Sequence, residues 1–304
     1  MRDSSGSESG WPAAGERSPA AEFATEPFEL VAEETRAAIL AALAAHQAEN
    51  PRDSTLGFSA LRKRADIDDS GNFNYHLGKL RPAYVRQTDN GYVLTFAGMS
   101  LAGTLRAGVD AETTRGPVSL DGRCGICDTE LTVEYERRVL SVTCENDHKF
   151  PRDELPPNAV TGRTLEEAIS IQTRRTKHRL DLVRRGVCPA CFGNVEREHE
   201  VLDAPQASHV LVVTCTGCGR VSSSSVGMYL LREPAVVAFY HDHGVDVTET
   251  PLWALDLPIT EPTVRSEDPL RLSLSVERDD ERLTLVVDEY TNLLDSRRAP
   301  VDAE

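Results

Sequence analysis

Residues 58–80 read FSALRKRADIDDSGNFNYHLGKL, and residues 84–98 read YVRQTDNGYVLTFAG. Ser59 is placed to cap a short helix over 60–65, and Asp66-Ile67-Asp68-Asp69 supplies a turn. Ser70 is placed to cap a second helix that runs through Leu80 and is stopped by Pro82. The runs 84–87 and 92–95 flank Asp89-Asn90-Gly91, a hairpin signal because an Asn-Gly pair tolerates positive φ. Upstream, residues 25–47 carry Phe28, Leu30 and Val31, then Ile39, Leu40 and Leu43 at helical spacing, and Asn50-Pro51 ends them. A small helix over 97–107 follows the hairpin. This order and these lengths outline a winged helix-turn-helix over residues 25–110.

In that outline the 70–80 helix is the one that lies in a DNA major groove, braced by the helix before it. Phe73, Leu77 and Leu80, at i, i+4 and i+7, face the core. Ser70, Asn72, Asn74, Tyr75 and Lys79 then project outward. Asn can make a bidentate pair with adenine, whereas Ser and Lys suit phosphates. Arg62, Lys63 and Arg64 are placed for backbone contact, and Asn90 sits at the tip of the wing. A small structural helical bundle with solvated polar faces would show a similar pattern. Two asparagines in mid-helix lower helix propensity, however, and a purely structural helix rarely chooses them. His76 reads as a packing residue against the first helix.

Both quoted stretches together resemble ArsR-like winged-helix transcriptional regulators, especially the large set found in halophilic archaea. The run Asn74-Tyr75-His76-Leu77 matches that family's recognition helix, which often carries a polar residue, any residue, then His-Leu. The resemblance covers residues 25–107. It implies a repressor or activator that usually binds double-stranded DNA as a dimer. Some members sense metals through Cys near the first or recognition helix, but no cysteine here precedes Cys124, so sensing at those positions is excluded.

The cysteines come later and in pairs. Cys124-x2-Cys127 is followed, after sixteen residues, by Cys144-x3-His148; Cys188-x2-Cys191 is followed, after twenty-three, by Cys215-x2-Cys218. A C-x2-C loop sets two thiolates on one tight knuckle, and two knuckles on a hairpin sheet complete a tetrahedron. Seven cysteines and His148 give eight ligands with none left over, hence two structural zinc ions per chain in closed sites. Strands at 131–135, 139–143, 195–201 and 210–214 alternate as zinc ribbons require. An odd cysteine count disfavours disulfides, and His148 disfavours an iron–sulfur cluster in the first module. A redox switch built on zinc thiolates stays open, as does Asp147 in place of His148 as a ligand.

The wider chain has 304 residues, which suggests two or three domains. Residues 1–24 are Ser/Gly/Ala/Glu/Pro-rich and read as a disordered tail. Between the ribbons (120–152 and 187–222), Thr164-x-x-Glu167 is a capping box opening a bridging helix within 160–186. Ile169, Thr176, Leu180 and Val183 form its stripe, and Arg174, Arg175, Lys177, Arg179, Arg184 and Arg185 give it a basic, solvated face that could approach phosphates. After the serine run at 222–225 comes an acidic α+β region over 226–300. There a helix broken near Pro234 precedes a hairpin turned at Asp279-Asp280, and His241-Asp242-His243 reads as a solvated turn. Tyr229, Phe239, Tyr240 and Trp253 read as core or the lining of a small pocket. The fold class is thus multidomain α+β.

Thirty-three bases against forty-nine acids, net −16, argue against a protein that coats nucleic acid, yet residues 55–106 hold seven bases against four acids. Residues 228–304 hold seven Arg against seventeen acids. Only four of the 33 bases are lysines, a balance that fits a cytoplasm of very high salt and that a GC-rich genome would also favour. The start MRDSSGSESGW has no apolar signal region and no run approaches a membrane span, so a cytoplasmic chain is expected. No nucleotide-binding, hydrolase or metalloprotease motif occurs, and an enzyme is not expected. Two readings result: a homodimeric transcription regulator, dimerising through 97–107 or 165–183, and a zinc-ribbon scaffold whose winged helix binds protein. Any small-molecule effector is not legible.

Overall fold

The computed structural model describes residues 26–81, 83–108, 113–148, 150, 153–202 and 208–301. The tail expected over 1–24 and the stop at Pro82 lie outside these residues, as does the side chain of Phe28. The chain divides into two compact units, Met1–Arg106 and Ala107–Glu304. Among the described residues the fold is mixed α and β, with eight α-helices and four antiparallel sheets.

The first unit runs α1 (Glu26–Val31), α2 (Glu34–Glu49), α3 (Phe58–Arg64), α4 (Ser70–Leu80), β1 (Val85–Thr88), β2 (Gly91–Leu94) and α5 (Phe96–Arg106). Ile39 and Leu43 of α2, Leu61 of α3, and Phe73, Leu77 and Leu80 of α4 close over Val85 as one buried cluster. Both expected serine caps are corrected. Asp69, not Ser70, caps α4, its carboxylate accepting from the amides of Gly71 (2.7 Å) and Asn72 (2.9 Å). These amides hold the Asp69 carboxyl below its ordinary value. α3 starts at Phe58 behind Gly57, with no side-chain cap, so Ser59 lies inside it. β1 and β2 pair in register from Val85↔Leu94 to Thr88↔Gly91, and Leu56 bridges to Tyr92 as a third short edge. The positive φ falls on Gly91 and not on Asn90. A Cβ there would stand 2.2 Å from the Leu56 carbonyl oxygen, so this position requires glycine.

The second unit begins with a strand the sequence reading lacked, β3 (Arg115–Arg123), in a sheet ordered β3-β4-β5-β6 with β4 (Glu130–Glu136), β5 (Val139–Cys144) and β6 (Asp153–Glu154). β4 alternates buried and exposed residues along its length, and Leu131, Val133 and Tyr135 are fully covered. Next comes α6 (Leu165–Arg184), opened by the expected capping box, with Thr164 Oγ1 on the Glu167 amide and Glu167 returning to the Thr164 amide. The second sheet is β7 (Val195–Val201), β8 (His209–Cys215) and β9 (Val221–Ser225). The serine run, to which the sequence pattern assigns no element, is a strand: its four residues, with Val221, pair along β8 from Thr214 to Val210. α7 (Val226–Leu230) and α8 (Pro234–Asp242) lead to a four-stranded meander, β10 (Thr263–Glu267), β11 (Leu270–Arg278), β12 (Glu281–Asp288) and β13 (Leu293–Pro300). Of that meander the sequence pattern marks only the β11–β12 hairpin. Phe150 and Trp253 meet in the first sheet's core, their ring centroids 6.0 Å apart, and Val236, Phe239 and Tyr240 pack against the meander.

The solvated basic face expected on α6 holds for Arg174 and Arg185, which are exposed, but not for Lys177 or Arg184. Lys177 is 2% exposed and its ammonium donates to the carbonyls of Thr250 (2.6 Å) and Val247. Arg174 pairs with Glu249, Arg184 with Glu233, and Arg185 with Asp181. Nor is the apolar stripe left over. Leu165, Ala168 and Ile169 enter the first sheet's core, and Val183 enters the second's. The stripe is covered within its own chain, so 165–183 offers no uncovered apolar face for the expected dimer axis. Burial pushes Lys177 down to about 8, with Asp246 and Glu249 opposing it. Between that value and the ordinary 10.5 the unfolded chain binds the extra proton, so stability rises with pH across this window. Urea midpoints measured from pH 8 to 9.5 should climb, and Lys177→Met should flatten the climb; an unchanged slope in the variant would refute the assignment.

Candidate metal centres and an exposed helix face

Turn geometry brings the first four ligands together. Cys124 directly follows β3, its amide bonded to the Thr129 carbonyl, while the Asp128 amide returns to the Cys124 carbonyl and closes the knuckle. Cys144 ends β5 directly opposite Leu131, and the turn after it, with Asp147 at positive φ, swings His148 inward. His148 Nδ1 lies 3.3, 3.4 and 3.6 Å from the sulfurs of Cys127, Cys144 and Cys124, and the Cys127 and Cys144 sulfurs are 3.7 Å apart. His148, rather than Asp147, is the fourth member of this group. Thr129, which the sequence reading passed over, places its hydroxyl 3.2 Å from the Cys127 sulfur. That contact leads the effects that hold the Cys127 thiol down to about 5. A threonine two residues after a paired cysteine is the signal that could have marked it.

The second group joins the knuckle after α6 to the β8–β9 turn. Cys188 and Cys218 sulfurs are 3.8 Å apart, and Cys191 and Cys215 are 3.5 Å apart. Amides of Gly217 and Cys218 point at the Cys215 sulfur, at 3.3 and 3.4 Å. Burial pushes the Cys215 thiol up, while these amides together with contacts from Cys191 and Cys188 bring it down to about 7. Within each group all four donor atoms lie within 4.8 Å of one another. These separations are far beyond the roughly 2.05 Å of a disulfide. Sulfurs about 2.3 Å from a central ion would stand ~3.8 Å apart along a tetrahedral edge. Both groups therefore have the shape of a four-coordinate metal site, with no side left for a substrate. His241 and His243 are outside both groups; His243 Nδ1 meets the Phe239 carbonyl and its Nε2 approaches Glu281.

In the first unit, α4 has two distinct sides. Phe73, Leu77 and Leu80 are buried, while Ser70, Asn72, Asn74, Tyr75 and Lys79 are exposed. Lys79 Nζ rests 5.5 Å from the Tyr75 ring centroid. His76 lies between the two sides, 3.0 Å from Glu33 at the start of α2. Asn90 is exposed at the hairpin tip and Lys63 on α3. Arg62 and Arg64 are engaged otherwise than expected: Arg62 donates to the Ile67 carbonyl (3.0 Å) and so ties the turn to α3, and Arg64 pairs with Glu49.

The family model described as Domain of unknown function (DUF7351) matches residues 121–293, more than half of the chain. The chain belongs to this family. Its DUF7351 stretch holds all eight predicted ligands, α6 and most of the C-terminal meander, so both clusters and the helix between them fall in one family domain. A second model, Domain of unknown function (DUF7347), matches residues 24–105, the stretch containing α2–α4 and the hairpin. No curated protein and no solved structure matches the chain. No helix among the described residues is long and apolar enough to cross a membrane.

Proposed function

We propose that the protein is a DNA-binding transcription regulator, with an ArsR-like winged helix-turn-helix in its first unit and two structural zinc ribbons in its DUF7351 domain. The observation that carries this reading is α4: a helix anchored by three buried apolar residues that leaves two asparagines, a tyrosine and a lysine on one exposed side. It follows a bracing helix and precedes a two-stranded hairpin, the arrangement in which a helix enters the major groove. Zinc is the ion that suits closed sites of four thiolates, or of three thiolates and an imidazole. In these closed sites the metal would hold the ribbons together and do no chemistry, so the protein is no enzyme. The regulator acts in the cytoplasm as a homodimer. α5 supports that pairing, since Met99 and Leu105 remain exposed on it. Two copies double the phosphate contacts where high salt weakens each one.

The test is binding to chromatin-mapped promoter sites in multimolar salt. Asn74→Ala should lose about 1–3 kcal/mol of discrimination between target and random DNA, as a lost bidentate base contact does. Lys79→Ala should weaken target and random DNA alike. Discrete promoter peaks and a palindromic footprint support the homodimeric regulator. Absence of peaks, or binding untouched by both substitutions in a folded protein, would overturn it in favour of the protein-binding scaffold.

A further inference from the structure

Of the seven cysteines, Cys191 alone is exposed; Cys124, Cys144, Cys188 and Cys215 are buried, and Cys127 and Cys218 lie between these extremes. The Cys191 sulfur stands 3.5 Å from that of Cys215, across the gap between the two knuckles of the second group. Two glycines leave this pair uncovered. A Cβ at Gly193 would lie 3.4 Å from the Cys191 sulfur and 3.9 Å from the Cys215 sulfur; one at Gly217 would lie 3.6 and 3.8 Å away. These are ordinary contact distances, and neither glycine has positive φ, so the backbone requires glycine at neither position. Gly217 is itself exposed, so the side it leaves bare opens to solvent. What the two glycines provide is access to a pair of sulfurs.

We infer that Cys191 is an oxidation site for hydroperoxides, that Cys215 resolves the product as a disulfide, and that the second centre thereby loses its metal while the first keeps its own. The inference rests on the zinc assignment proposed above. Metal ligation keeps every thiolate of a centre ionised, so access rather than acidity ranks them. The first centre presents no exposed sulfur, and one of its four donors is an imidazole, which forms no disulfide. At Cys191 the sulfur attacks the peroxide: an S–O bond forms, the O–O bond breaks, and hydroxide or alkoxide leaves. The Cys215 thiolate then attacks the oxidised sulfur, forming the S–S bond, breaking the S–O bond and expelling hydroxide. The two sulfurs together lose two electrons and the peroxide gains them. Closing the bridge from 3.5 Å to roughly 2.05 Å needs only a small approach of the two knuckles. Cys188 and Cys218 then remain as the only thiolates of a site that needs four donors. The bridge still ties the knuckle after α6 to the β8–β9 turn, so the sheet stays tethered and reduction can rebuild the centre.

The probe is hydrogen peroxide, added in fixed excess to the full-length, metal-loaded protein. Released metal is read with a chromophoric chelator, and disulfides are mapped by mass spectrometry. One of the two metal equivalents should leave together with formation of a Cys191–Cys215 bridge, and a thiol reductant with added zinc should restore it. Gly217→Ala lays a methyl group against both sulfurs and removes no ligand. It should slow release by about threefold or more, since access limits the reaction of an ionised thiolate. Cys191→His keeps four donors, as in the first centre, and should hold its metal against peroxide. The inference is overturned if both equivalents leave at the same rate, if the bridge omits Cys191 or Cys215, or if Gly217→Ala releases metal as fast as the parent. Metal content before peroxide separates the two readings. Fewer than two zinc equivalents counts against the zinc assignment, whereas two equivalents that peroxide leaves in place overturn the oxidation site alone.

Discussion

Protein purified without added metal is expected to contain two equivalents of zinc, and stripping it with a strong chelator should unfold the unit that begins at Ala107. Structural zinc contributes about 10–16 kcal/mol of apparent binding energy in small domains, as much as or more than the roughly 5–15 kcal/mol that separates a whole domain from its unfolded state. The ligands also end the strands that carry the cores: Cys144 closes β5 and Cys215 closes β8, both buried within their hydrophobic clusters. Without an ion, each group would press thiols together in a space that only a cation makes favourable. Cys215→Ser should therefore retain one zinc and melt far below the parent protein, while His148→Ala should lose the other ion. Circular dichroism with elemental analysis reads both. A single equivalent in the parent would remove one centre, and iron would overturn the assignment to zinc.

Gly227→Ala should cost about 3 kcal/mol or more, at the high end of what overpacking does. All five residues of α7 are buried, and a Cβ at Gly227 would stand 1.9 Å from the Leu257 carbonyl oxygen and 2.8 Å from its carbon. That carbonyl cannot easily retreat. The Leu257 amide donates to Tyr240 Oη, and Ser225 Oγ donates to the next carbonyl, Pro258 O, at 2.7 Å. Gly103→Ala is the control, since nothing lies within 4 Å of its Cβ position on α5. It should be neutral or stabilise by ~0.5–1 kcal/mol, as glycine replacement in a helix interior does. Equal urea midpoints for the two variants would refute the close approach.

Much of this architecture was legible in the sequence, and what was not has a physical reason. Phe73, Leu77 and Leu80 announced the buried side of α4 because helical periodicity is a local property, and the cysteine spacings announced both clusters because a knuckle is a local turn. β3 and β9 were missed for the opposite reason. β3 is mostly exposed, and β9 is a serine run of low strand preference that forms because β8 offers a free edge. Lys177 was misread as a surface base, since no pattern on α6 reveals that the 247–250 segment supplies carbonyls for it. The α4 cap was displaced by one residue: Asp69 and Ser70 are both good capping residues, and only the path of the turn decides between them.

Trp253 sets the order in which this chain can assemble. Its indole completes the core of the first sheet, and its carbonyl oxygen lies so near Gly125 that a Cβ there would approach to 2.8 Å. The knuckle that starts the first cluster is thus finished by a residue more than a hundred positions later. A nascent chain that has emerged only as far as α6 can bring Cys124, Cys127, Cys144 and His148 together, but it cannot yet seal their apolar surroundings. Such long-range closure is slow, because a large loop must be ordered before its contacts reward it. The first unit has no such debt: its core draws only on residues before position 103, and it can be complete at the ribosome while the second is still waiting for its tryptophan.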